Sequence, residues 1–324
     1  MIQLLLVCII LIVFLIFVCI SNSNHLENFT GIPCFYQKPD YVINRDVDER
    51  ECRKNSCCHE LFPSTYYTRN AVDMEQLDHS HNTDTWFIQK KIWGSERNGL
   101  KLVKYREPYD TSYEHTQELI TDSLKIRGRA FHIRIYIVVD CKHGIFLYRE
   151  GEMKYCSTPF DPNHIHKQNV ISDLDESGRL THSYQYQEYL DRNNLPKTLQ
   201  DLYRYLSLSP RGSHLESKLL SVFTRYVKMK NFCKIEEESK CPIIHRDDYK
   251  FYKDSIGYKY KHIYGADVII KTDLTPLILE VNQRPTTLFI PTHPELMYRL
   301  PLRKQLLDNV KENTYPESLF LRLK

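Results

Sequence analysis

Hydrophobic and polar positions alternate most cleanly between Phe131 and Val139. Phe131, Ile133, Ile135 and Ile137 fall on one side of an extended chain, and His132, Arg134 and Tyr136 on the other. That period of two predicts a half-buried strand. Cys141-Lys142-His143-Gly144 then turns the chain into Ile145 to Arg149, which makes a β-hairpin. Trp86 to Lys90 and Leu100 to Val103 read as two further short strands. Ala266 to Lys271 and Leu277 to Asn282 flank the turn-forming Thr272-Asp273-Leu274-Thr275, a second hairpin. One clear helix interrupts the strands: Leu215, Leu219, Val222, Tyr226 and Met229 recur at helical spacing behind a Ser213/Glu216 capping-box pattern. Residues 22 to about 85 carry no sustained period and read as a stalk plus a small N-terminal unit. The mixture predicts an α+β protein built on antiparallel sheets with flanking helices.

Leu4 through Ile20 is an unbroken apolar run of seventeen residues. At 1.5 Å per helical residue it crosses most of a bilayer's roughly 30 Å hydrocarbon layer. The expectation is an N-terminal transmembrane helix, a single-pass anchor through residues 2–20, with a cleavable signal peptide as the rival. The flanking charges leave the side of the membrane open. Eight of the ten cysteines lie beyond this run, four of them before residue 60, so disulfides are expected if that region meets an oxidising compartment.

With 324 residues, two or three packed units are expected. A formal net charge of +3 gives no support to nucleic-acid binding, and no nucleic-acid partner is expected. The sequence has no G-x-G-x-x-G, which counts against a dinucleotide fold, and Leu100 stands where a P-loop from Gly94 to Gly99 would need lysine.

Candidate chemistry concentrates in the second hairpin. With a four-residue loop at 272–275, Lys271 pairs with Pro276, and counting back sets Asp267 opposite Glu280, with Asn282 on the same face. Three oxygen-bearing side chains on one face suit a hard cation such as Mg²⁺; ordinary solvent-facing sheet residues would give the same pattern. Arg134 and Arg149, on neighbouring strands, are expected to form a fork for phosphate. Between Tyr249 and Tyr264, lysines interleave with aromatic rings, a stretch able to receive an acidic peptide or simply to cover apolar surface with lysine stems.

Taken in order, these segments resemble the tubulin-tyrosine ligase family of ATP-grasp enzymes. Its W-I-V-K strand and following G-x-G-I look like Phe87-Ile88-Gln89-Lys90 and Arg97-Asn98-Gly99-Leu100. Its hinge Q-K-Y-I and then P-L-L-I-x-G-R-K-F-D-I-R resemble, without a gap, Gln117-Glu118-Leu119-Ile120 and Ser123 through Arg134. A Y-R-E-G hairpin resembles Tyr148-Arg149-Glu150-Gly151, and an H-L-T-N loop His166-Lys167-Gln168-Asn169. G-x-D and L-L-E-V-N-x-x-P resemble Gly265-Ala266-Asp267 and Ile278 through Pro285. The chain departs from the pattern where K-F-D reads Ala130-Phe131-His132 and where Glu118 replaces the hinge lysine.

The resemblance implies a divergent ATP-grasp ligase, with residues 1–21 as anchor or signal peptide and 22–85 as stalk and small unit. Residues 86–130 would form a central subdomain carrying the nucleotide hinge, and 131–324 a C-terminal subdomain with the metal and phosphate site. It implies ATP held by Lys90, Gly99, the hinge Gln117, Glu118, Leu119 and Ile120, and by Arg134 and Arg149 at the γ-phosphate. Mg²⁺ would sit on Asp267, Glu280 and Asn282, with Arg134, Arg149 and Glu280 catalytic. His166 and Asn169 would lie near the acceptor or the incoming amino acid. The implied reaction joins an amino acid to an acidic protein or peptide carboxylate through an acyl phosphate, tubulin being the acceptor by family analogy alone. Two other readings stay open: a membrane-tethered nucleotide-binding or scaffold protein of the same fold without ligase activity, and a disulfide-stabilised secreted structural protein.

Overall fold

The structure is a computed structural model that describes residues 60–91, 99–172, 189–207, 212–230, 261–282 and 300–323. The apolar run Leu4–Ile20, the stalk as far as residue 59 with its four cysteines, and the basic-aromatic stretch up to residue 260 lie outside these residues. Among the described residues no helix is long and apolar enough to cross a membrane.

The described residues form two antiparallel sheets. The first contains β1 (Thr65–Tyr67), β2 (Trp86–Lys90), β3 (Leu100–Lys104) and β4 (His115–Glu118) in the order β1-β4-β2-β3. Its strand β1 comes from residues expected to belong to the separate small unit before residue 86. Helix α1 (Ala71–Ser80) follows it, started by Asn70, whose Oδ1 accepts the Val72 and Asp73 N–H groups at 3.0 and 3.3 Å. Leu77, Phe87, Tyr66 and Tyr105 bury together against this sheet.

The second sheet holds β6 (Arg129–Asp140), β7 (Gly144–Tyr155), β8 (Lys261–Ile270), β9 (Pro276–Asn282) and β10 (Phe320–Arg322) in the order β10-β7-β6-β8-β9, with the short β5 (Lys125–Ile126) on β6. The first hairpin forms, but its turn is one residue shorter than expected: Gly144 already pairs with Asp140 and begins β7, which runs six residues beyond Arg149. Cys141 at its turn is disulfide-bonded, and Cys156 is a buried thiol.

Strand β6 is not half-buried. Its odd-numbered face, Phe131 to Val139, packs with Leu199, Leu202 and Leu206 of α3 (Leu199–Ser207) and Leu215, Leu219, Val222 and Tyr226 of α4 (Gly212–Met229). The latter helix starts one residue before Ser213, which therefore lies inside it. On the even-numbered face Tyr136 and Val138 are buried by Leu306 and Val310 of α5 (Leu300–Glu312). The short helix α2 (Lys167–Val170) lies in the loop after β7.

The second hairpin differs from expectation by one residue at its tip. Ile270, not Lys271, pairs with Pro276. Leu274 takes a left-handed φ of 64° and buries its side chain, so Lys271 joins the turn and donates its N–H to Thr275 O at 2.9 Å. A bulge at Leu279 then adds one residue to β9 and moves the register back, so Asp267 does stand opposite Glu280.

Candidate active site

Directly opposed residues share a face, so the register assembles the site. On the even-numbered face, beyond the part that α5 covers, β6 presents His132 and Arg134, β7 presents Lys154 opposite His132, and β8 presents Asp267 opposite Arg134. On β9, Glu280 and Asn282 complete the row. Apolar residues behind each of these positions fix the strands: Ile133, Ile135, Ala266, Val268 and Ile278 are fully buried in the opposite core.

Asp267 is the electrostatic centre. Arg134 donates to both its oxygens, from Nε and from Nη2, the latter at 2.7 Å. The His132 Nε2 is 3.5 Å from Oδ1, while its Nδ1 bonds the Ser172 hydroxyl. Burial opposes ionisation of Asp267, yet Arg134, then His132 and Lys154, outweigh it and hold the carboxyl well below the ordinary carboxylate range. Beside it, Asn282 Nδ2 donates to Glu280 Oε1 at 3.1 Å, which leaves the Asn282 carbonyl oxygen and the second Glu280 oxygen as acceptors.

One strand away, Glu152 stands opposite Arg134 on its other flank. It is buried and held by Arg303 of α5, whose Nε and Nη2 reach its two oxygens at 2.6 and 2.7 Å, and by the Tyr136 hydroxyl at 2.6 Å.

The expected phosphate fork is not formed. Arg149 has odd parity and lies on the face covered by the helices, 3.7 Å from Glu216 of α4. The second cation beside Asp267 is instead Lys154, which sequence reasoning missed. A turn running through Gly144 would set Arg149 on the face of Arg134; the shorter turn, with Asp140 opposite Gly144, sets even-numbered residues of β7 against even-numbered residues of β6 and excludes it.

Lys90 and Gln117 come together in the first sheet, the Lys90 Nζ donating to Gln117 Oε1 at 2.8 Å, while Gln117 Nε2 reaches Thr65 Oγ1 at 3.0 Å. Gly99 is buried at the start of β3, its carbonyl accepting the Lys91 N–H at 2.9 Å. Glu118 pairs in register with Phe87, and the Leu119 N–H bonds Trp86 O at 2.8 Å. From Ile120 the chain passes into β5 of the other sheet, and Asp122 grips the tip of the β8–β9 hairpin through Lys271 at 2.9 Å. The hinge thus links the sheet of Lys90 to the sheet of Asp267.

His166 and Asn169 belong to the α2 loop. Asn169 is fully buried, its Oδ1 accepting the His166 N–H at 3.0 Å and its Nδ2 donating to His164 O at 2.8 Å, so its amide shapes the loop. His166 is half-buried with Nδ1 3.1 Å from Gln168 Oε1. Two residues past α2, Ser172 ties this loop to His132.

Among the described residues no three His, Cys, Asp or Glu side chains cluster as a metal site. The oxygen donors of Asp267, Glu280 and Asn282 nevertheless fit Mg²⁺, which takes one or two carboxylates and completes its shell with phosphate and water.

Cations around a carboxylate pair, on a sheet linked to a second sheet with its own lysine, form a polar face able to neutralise an anionic ligand. The model of the tubulin-tyrosine ligase family matches residues 22–314, and the chain belongs to that family. It is similar to tubulin polyglutamylase ttll-11 of Caenorhabditis elegans, 27% identical over 215 residues, 63% of this chain and 29% of that protein. It is also similar to the probable tubulin polyglutamylases ttll-9 of the same animal, 23% identical over 85% of this chain and 67% of that protein, and TTLL9 of Rattus norvegicus, 26% identical over 52% of this chain and 32% of that protein. The chain therefore spans less than a third of the length of ttll-11 and TTLL9.

Proposed function

We propose that the protein is an ATP-dependent ligase that joins an amino acid to a side-chain or terminal carboxylate of an acidic protein or peptide. The observation that carries this reading is the single polar face on which Arg134, Lys154 and His132 surround Asp267 beside Glu280 and Asn282, in a chain of this family. Glutamate and tubulin, from the names of the relatives, are the first amino acid and acceptor to test.

In this reading Gln117 to Ile120 hold the adenine at the hinge, with Glu118 as the departure from the family lysine, and Lys90 and the chain at Gly99 meet the phosphates. Asp267, Glu280 and Asn282 would hold Mg²⁺, which when bound supplies charge neutralisation at the phosphate oxygens. Arg134 and Lys154 steady the γ-phosphoryl group as an acceptor carboxylate oxygen attacks its phosphorus and the bond to the bridging oxygen of ADP breaks. The acyl phosphate formed is attacked at carbon by the incoming amine, which loses a proton while phosphate leaves with the C–O bonding pair. No nucleophilic side chain is needed; positioning and charge supply the acceleration. His166 lies in the loop suited to contact the acceptor or the amine, with Asn169 fixing that loop. The apolar run at residues 2–20 would tether the enzyme to a membrane.

The test is Mg-ATP binding by thermal shift and ADP release in the presence and absence of amino acid and acceptor peptide, with Glu280→Gln as control. ADP release that depends on both co-substrates in wild type, and is lost in the variant, supports the ligase. Tight Mg-ATP binding without such release favours the scaffold reading instead.

A further inference from the structure

Arg134 sits between two carboxylates. In register it stands between Asp267 on β8 and Glu152 on β7, one carboxylate on each neighbouring strand. A partner for Glu152 comes from outside the sheet. Arg303, 2% exposed, enters from the first turns of α5 and occupies both Glu152 oxygens in a fork at 2.6 and 2.7 Å, while Tyr136 adds a third bond at 2.6 Å. Arg134 for its part gives two bonds to Asp267.

The helix that delivers Arg303 is itself pinned to the same face. Leu306 and Val310 bury against Tyr136, Val138 and Ile263. The Tyr148 hydroxyl bonds Gln305 Oε1 at 3.0 Å, and the buried Lys261 ammonium donates to Val310 O at 2.6 Å, at the end of the helix where its dipole is negative. Both ends of α5 are therefore tied to the sheet by polar contacts, and the one at its start touches the neighbour of the phosphate-facing arginine.

We infer that Arg303 is a positioning residue of the nucleotide site: by engaging Glu152 it keeps Arg134 directed at Asp267, so the seating of the C-terminal helix sets the charge and geometry of the phosphate-binding face. This rests on the ligase reading above and adds to it a residue that no sequence motif marks. Arg303 is buried with its guanidinium on Glu152 and acts from behind the polar face. Its effect passes through Glu152, whose buried charge, once it loses the Arg303 fork, would draw on the neighbouring cations Arg134 or Lys154.

The test compares full-length wild type, Arg303→Met, and Arg303→Met combined with Glu152→Gln. Affinity for Mg²⁺ with a non-hydrolysable ATP analogue is measured by calorimetry well below each variant's Tm. Arg303→Met is expected to weaken the analogue at least about tenfold, the range seen when outer partners of a site are removed. The double variant, which also removes the competing charge, is expected to recover to within about threefold of wild type although Arg303 is gone. A purely structural arginine lowers Tm without changing affinity in the folded state, and that result overturns the inference. So does a double variant as weak as the single one. If Arg303→Met does not fold, Arg303→Lys with and without Glu152→Gln carries the same comparison, because lysine keeps the charge but loses the fork. If wild type itself fails to bind the analogue, the ligase reading falls and the inference with it. If wild type binds and Arg303→Met binds equally, the inference alone falls.

Discussion

Replacing Asp267 by alanine separates the structural part of the site from its ligand chemistry, because the two effects have opposite signs. The carboxylate accepts two charge-assisted bonds from Arg134, and the side chains are only 12% and 8% exposed, so solvent screens the pair weakly. Removing one partner of a buried, hydrogen-bonded ion pair costs about 3 to 5 kcal/mol, most of it from the charge left behind. For a domain of this size that lowers Tm by about 10 °C. Replacing both residues, Arg134→Met with Asp267→Leu, is expected to return most of the loss. The pH dependence has a definite sign. Since the Asp267 carboxyl is held below its ordinary value of 3.8, its stabilisation is complete above that value and is lost only as pH falls further. Ligand binding moves the other way. Arg134, Lys154 and His132 lose their nearest anion in Asp267→Ala, so metal-free ATP is expected to bind more tightly, while added Mg²⁺ strengthens binding much less. Urea unfolding and calorimetry with and without Mg²⁺ measure both. A loss below about 1 kcal/mol would refute the buried pair as a stabilising element, and unchanged Mg²⁺ dependence would refute Asp267 as a metal ligand.

Lys154→Met is expected to reduce ligation by about two orders of magnitude, whereas Arg149→Met, losing a half-exposed pair with Glu216, costs about 1 kcal/mol or less of stability and leaves turnover intact; steady-state kinetics on both distinguish the two cations. Gly151→Ala brings a Cβ to 3.0 Å from Arg134 O and 3.1 Å from Ile133 Cγ2, so it is expected to destabilise by about 1 to 3 kcal/mol in urea unfolding. Burial pulls the Lys230 ammonium down from 10.5 to about 8. Between those values the unfolded chain binds the extra proton, so stability rises with pH from about 8 towards 10, and Lys230→Met is expected to flatten that rise in a pH series of Tm.

Strong periodicity made the strands legible: β2 has the bounds read from its residues, and both hairpins occur where turn formers interrupt alternating runs. The opposition of Asp267 and Glu280 was also anticipated, although through a tip register one residue out, which the bulge at Leu279 cancels. The bulge was not legible because Leu277, Ile278 and Leu279 are all apolar, so no alternation marks the extra residue. Arg149 shows a different failure. A turn running through Gly144 sets it on the face of Arg134, whereas Gly144 itself pairs with Asp140, so the shorter turn moves Arg149 to the opposite face and puts Lys154 opposite His132. Arg303 was not legible at all, since the residues it joins are 151 positions apart and its helix presents an ordinary mixture of leucines and charges. The burial of Tyr136 and Val138 was missed for the same reason: the helix that covers them comes from the far end of the chain.

The central claim is that these side chains move a phosphoryl group to a carboxylate and then yield an amide. Its most direct measurement follows ADP release and product mass together, with Mg-ATP, glutamate and an acidic tubulin-tail peptide, for wild type and Glu280→Gln. The account predicts ADP release that requires both glutamate and peptide, one residue of added mass for each ADP, and a loss of at least about a hundredfold in the variant. ADP release indifferent to either co-substrate, or persisting in Glu280→Gln, would contradict it.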